Sequence, residues 1–79
     1  MDIEPTLAFL KATKHLDPFL KTKVLKVISK IEMSLDIGKP LKYTQNERAV
    51  SVLIFGLIYT YRENTDTLYL LKFDHRSSV

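Results

Sequence analysis

One stretch governs what this chain can become: Asp17-Pro18, followed by Leu20, Val24, Val27, Ile28, Ile31 and Leu35, apolar residues that step by three and four. An aspartate ahead of a helix accepts hydrogen bonds from free backbone N–H groups, and proline at the first helical position loses no donor that the helix needs. The spacing gathers the apolar set on one stripe and leaves Lys21, Lys23, Lys26, Lys30 and Glu32 mostly elsewhere on the wheel. The segment reads as an amphipathic helix stopped by Gly38 and Pro40. A helix of this kind is held chiefly by burying its stripe, so the rest of the chain must supply an opposing apolar surface.

Residues 6–16 offer a shorter helix, with Leu7, Phe9, Leu10, Ala12 and Leu16 loosely at helical spacing. After a polar connector from Lys42 to Arg48 the chain becomes strand-like, rich in Val, Ile, Leu, Tyr and Phe from Ala49 to Tyr61 and again from Thr67 to Phe73. Glu63-Asn64-Thr65-Asp66 is the turn between these runs. In the last one Leu68, Leu70 and Lys72 alternate with Tyr69, Leu71 and Phe73, so both faces carry large apolar groups. The run from Ala49 to Tyr59 is one long strand, or two strands folded back at Leu53-Ile54 or around Gly56, and Gly56 equally fits a bulge. The order of elements predicts an α+β fold, an N-terminal helical hairpin packed on a small twisted antiparallel sheet, as a single domain over residues 1–79.

Composition narrows the function classes. A chain of 79 residues buries only about 60% of its unfolded surface. It has no cysteine for a disulfide or a thiolate zinc site, so its core carries stability alone or borrows surface from a partner. The missing thiols fit the cytoplasm, and no basic, uninterrupted apolar leader follows Met1. The longest apolar stretch, Ala49 to Tyr59, is broken by Ser51 and Gly56 and falls short of the roughly 20 residues of a membrane helix, so no membrane association is expected. Net charge is +3, mild for a dedicated nucleic-acid binder, and the surplus sits in the lysines of the first half. Those lysines solvate a helix face or track phosphates, and the second role would make the chain a small RNA-binding module. No Gly-rich phosphate loop, nucleophile elbow or zinc motif is present, and His15 has no neighbouring ligand pattern, so no metal or cofactor is expected.

Three stretches resemble the RelE/ParE superfamily, the small toxins of type II toxin–antitoxin pairs. Phe9-Leu10-Lys11, Leu16-Asp17 and the helix to Ile31 are similar to the family's helical hairpin, and Ile37-Gly38-Lys39-Pro40-Leu41 to its helix-exit segment. Arg48 through Tyr59-Thr60-Tyr61, then Asp66 to Arg76, resemble its three central strands with a closing His-Arg pair. The resemblance implies a toxin held by a cognate antitoxin, as a homodimer or a toxin–antitoxin hetero-oligomer. RelE-type members are metal-independent, ribosome-dependent mRNA endonucleases; ParE-type members poison DNA gyrase.

Cutting RNA requires help for the attacking 2′-hydroxyl, cations for the charged phosphorane and a proton for the leaving oxygen. The resemblance assigns Arg76 to the phosphate and places His75 beside it as a proton donor, with Arg48, Tyr59, Tyr61 and Lys72 as RNA contacts. Tyrosines at strand spacing serve equally well as sheet packing, and Arg76 can equally pair with Asp74 or Glu63. Three cations of the family pattern are missing, their positions being taken by Ser51, Leu53 and Gly56, and the tyrosine usual just past Val79 has no counterpart. Losing one transition-state cation costs on the order of 10²–10³ in rate, so the substitutions argue against a fully active ribonuclease and for binding to a partner. The alternative is a binding-only member, either a ParE-like gyrase inhibitor or an inactive homologue that binds an antitoxin.

Overall fold

The computed structural model describes residues 1–44 and 46–78. Its elements run β1 (Asp2–Pro5), α1 (Leu7–Thr13), α2 (Pro18–Met33), β2 (Lys39–Pro40), β3 (Glu47–Val52), β4 (Phe55–Arg62) and β5 (Thr67–His75). Asp17 caps α2 as its sequence demands, the carboxylate accepting the Leu20 N–H at 2.8 Å. The helix ends at Met33, ahead of Gly38, because Ser34 turns extended while its N–H still donates back to Lys30 and Ile31. Leu35 therefore lies in the connector rather than on the helix, half-buried against the core. Helix α1 is shorter than its spacing suggests and starts at a Thr6 cap, whose hydroxyl accepts the Phe9 N–H at 3.2 Å.

The strands form one sheet in the order β1-β5-β4-β3-β2. The pairs β2–β3, β3–β4 and β4–β5 are antiparallel, whereas β1 lies parallel to β5, so the sheet is mixed rather than wholly antiparallel. A parallel pair needs a long crossover, and here both helices and three strands separate its members. The fold is α+β with both helices contributing to one core: Phe9 from α1 and Val24, Ile28 and Ile31 from α2 pack with Val52, Leu57, Tyr59, Leu68, Leu70 and Phe73 of the sheet. Phe73 meets Phe9 edge-on at 6.3 Å between ring centres and stacks on Phe55 at 4.9 Å.

Two local features decide which side chains face which way. The reversal between β3 and β4 falls at Leu53-Ile54, leaving Gly56 inside β4. Leu53 adopts φ 58, the left-handed region that bulky residues rarely occupy. The bulge lies in β5: Ile58 pairs with Lys72 and Tyr59 with Leu70, so Leu71 is skipped. That extra residue inverts the alternation downstream, moving Phe73 to the helix side with Leu68 and Leu70 and Lys72 to the opposite side. The Leu71 carbonyl accepts the Thr6 hydroxyl at 2.9 Å, so one side chain both caps α1 and serves the bulge.

Candidate functional site

The sheet face away from the helices carries a cleft of about 310 Å³ lined by Lys39, Pro40, Leu41, Ala49, Val50, Ser51, Gly56 and Arg76. The cross-strand register explains this set. Lys39 lies opposite Ala49, Ala49 opposite Ile58, and Ile58 opposite Lys72, forming one row across four strands; the adjoining row runs Ser51, Gly56, Asp74. The floor is thus made of small residues, with Lys39 and Arg76 as the cations in its lining. Arg76 is exposed just past the end of β5, where its N–H donates to the Ile54 carbonyl at 2.9 Å and ties it to the β3–β4 turn. Among the described residues the ion pair found joins the N-terminal ammonium to Asp66, far along the sheet from the cleft, so neither cation is neutralised by a salt bridge.

The sequence-predicted residues do not all meet there. His75 and Arg76 face different surroundings: His75, the last residue of β5, sits opposite Phe55, meets that ring edge-on at 6.2 Å and holds Ser77 Oγ at 2.9 Å through Nδ1, whereas Arg76, in the turn that follows, lines the cleft. His75 is not among the residues that line the cleft with Arg76. Tyr59 is only 1% exposed in the core. Its hydroxyl donates to the Leu35 carbonyl at 2.8 Å and accepts the Gly38 N–H at 3.0 Å, leaving no ring face for a base. Arg48 is likewise engaged, with Nη1 donating to the Gly38 carbonyl at 2.8 Å and the Asp36 carbonyl at 3.3 Å. Tyr61 lies on the same side of β4 as Tyr59 and donates to Asp66. Lys72 does lie exposed on the open face, and Tyr69 is the tyrosine that shares that face, opposite Thr60.

Of the three positions where cations were expected, Ser51 and Gly56 line the cleft and face each other across β3 and β4. Leu53 occupies the turn instead, outside the cleft lining. The tyrosine expected beyond Val79 concerns a position outside the described residues. Lys39 is the residue that sequence reasoning overlooked as a site member. Its only signal was its place in the Gly38-Lys39-Pro40 segment, which reads as a helix stop. Away from the cleft, the hydrogen bond from Tyr61 holds the Asp66 carboxyl below its ordinary range, helped by the N-terminal ammonium, and raises the Tyr61 phenol in turn. Among the described residues no group of three or more His, Asp or Glu side chains is placed to hold a metal ion, and no helix is long and apolar enough to cross a membrane.

No protein-family model matches the chain, and no curated protein matches it in sequence. Solved structures do match in shape. The intact RelBE toxin–antitoxin complex of Escherichia coli contains a chain that superposes with TM-score 0.85 at 12% identity, over 94% of both chains. A RelB–RelE complex from Methanococcus jannaschii gives 0.75 at 20% identity, over 95% of this chain and 92% of that one. A metal-bound toxin from Helicobacter pylori gives 0.70 at 22% identity, over 100% and 98%. At these identities the likeness is one of fold, and the chain has the fold seen in RelE toxins.

Proposed function

We propose that this chain is the toxin of a type II toxin–antitoxin system, a single RelE-like domain acting in the cytoplasm on ribosome-associated messenger RNA and restrained by a cognate antitoxin. One observation carries the reading: a chain with the RelE fold presents Arg76, the residue that the sequence resemblance assigns to phosphate, in a cleft on its open sheet face. Arg76 would stabilise the charged phosphorane as the 2′-hydroxyl attacks; a guanidinium is suited to this because it offers several fixed donors to phosphate oxygens. Ser51 and Gly56 bring no charge to the same cleft, so this site would turn over more slowly than one furnished with cations at those two positions.

The antitoxin is supported by two findings. Solved neighbours were obtained as RelE–RelB complexes. The helical side of this chain also leaves Leu7, Leu10, Phe19 and Leu25 exposed beside an apolar groove between α1 and α2 lined by Phe9, Leu16, Val24 and Ile28. A second reading, binding without cleavage, is favoured by Ser51 and Gly56 themselves. The test is 5′-end mapping of a messenger RNA in a reconstituted translation reaction, with and without the purified protein, beside Arg76→Ala. Cuts that need both the ribosome and Arg76 support the nuclease; an unchanged message with folded protein overturns it in favour of binding alone, with gyrase inhibition as the next assay.

A further inference from the structure

Resting on that reading, we infer that Lys39 is a second phosphate-contacting residue of the cleft, held over it by a clamp that Arg48 and Tyr59 close from the opposite side of the sheet. The cleft lost cations where Ser51 and Gly56 stand, yet the neighbouring strand supplies one. Lys39 is in register with Ala49, and Ser51 is the next residue of β3 on the same face. Adjacent strands lie only about 4.8 Å apart, and a lysine carries its charge on a flexible four-carbon stem, so an ammonium rooted on β2 reaches the space above Ser51. Lys39 is exposed and lines the same cleft as Arg76.

A strand of two residues, Lys39–Pro40, is a poor platform unless something fixes it. Gly38 is what is fixed. Its N–H donates to the Tyr59 hydroxyl at 3.0 Å and its carbonyl accepts from Arg48 Nη1 at 2.8 Å, so the residue before Lys39 is gripped at both backbone polar groups. The approach is close enough to exclude a side chain: a Cβ on Gly38 would stand 2.9 Å from both the Ala49 carbonyl oxygen and a Tyr59 ring carbon. Strand alternation sends the next side chain to the open face. Arg48 and Tyr59 are therefore positioning residues for Lys39 and do not themselves touch RNA.

The test is fluorescence anisotropy of a labelled single-stranded RNA oligonucleotide of mixed sequence against the purified full chain across a salt series. Lys39→Gln should weaken binding on the order of tenfold and reduce the salt slope by about 0.7, the share of one phosphate contact on a single strand. Arg76→Gln should do the same, Lys39→Arg should restore the slope, and Lys30→Gln on α2 should change neither quantity. Arg48→Ala should lower the slope like Lys39→Gln and add nothing to it in the double variant. A lower melting temperature with an unchanged slope would overturn the clamp. Lys39→Gln without effect, while Arg76→Gln weakens binding, overturns the inference and leaves the nuclease reading standing; neither variant having an effect overturns the inference as well, and the nuclease reading then stands or falls on the mapped cuts.

Discussion

Tyr59→Phe isolates a single oxygen atom. The ring keeps its shape in the core, where Tyr59 is 1% exposed, so no cavity forms and the packing with Leu57, Leu70 and Val52 is retained. What disappears is the hydroxyl that accepts the buried Gly38 N–H and donates to the Leu35 carbonyl. Each orphaned group costs about 1–3 kcal/mol, and the carbonyl is only part-buried, so a loss of about 2 kcal/mol is expected. A domain of this size shifts by about 4–8 °C per kcal/mol, placing the fall in melting temperature at about 8–16 °C. Circular dichroism melts of the two proteins at one concentration measure it. A base-stacking tyrosine would behave differently, because phenylalanine stacks equally well and the core would not notice the change. A fall below about 3 °C, with RNA binding unchanged, would refute the structural role assigned here.

Thr6→Val removes both the α1 cap and the donor to the Leu71 carbonyl at the bulge, with an expected cost of about 1–3 kcal/mol by chemical denaturation. A neutral result would mean that water serves both groups. Leu53→Asn should raise stability by about 0.5 kcal/mol, because asparagine enters the left-handed region at lower cost and Leu53, 54% exposed, gives up little packing. A lower melting temperature would show that Leu53 is held by contacts rather than strained. The carboxylate of Asp66 has a pKa lowered from 3.8, so its contribution is complete above that value and is lost as pH falls below it through the folded-state value. The melting-temperature difference between the parent and Asp66→Asn should accordingly be present at neutral pH and vanish in acid; a difference that grows with acidity would reverse the assignment.

Local chemistry made several elements readable. Asp17-Pro18 wrote the start of α2, because a cap and an N-terminal proline act through the nearest backbone groups alone. The turn around Glu63 to Asp66 was equally legible, since aspartate tolerates the left-handed conformation found at Asp66, φ 48. The hairpin at Leu53-Ile54 stayed one option among several because leucine carries no turn signal, and only the β3–β4 register selects it.

The site depended on what spacing could not specify. Period-two alternation put Lys72 with Leu68 and Leu70, and one skipped residue, Leu71, reversed that assignment; a bulge follows from how β4 and β5 pair, which neither strand states alone. Adjacency in sequence placed His75 beside Arg76, yet β5 ends at the histidine, which joined Phe55, while the arginine, in the turn that follows and tied to the Ile54 carbonyl, joined the cleft. Arg48 and Tyr59 have the chemistry of RNA contacts but were drawn into the connector after α2, where Gly38 and Leu35 offered backbone groups needing partners. The sequence by itself determined the α+β class, the capped amphipathic helix and the arginine after the last strand. The tertiary structure decided which cations share a face, because that depends on register between strands distant along the chain, and register brought Lys39 to Arg76.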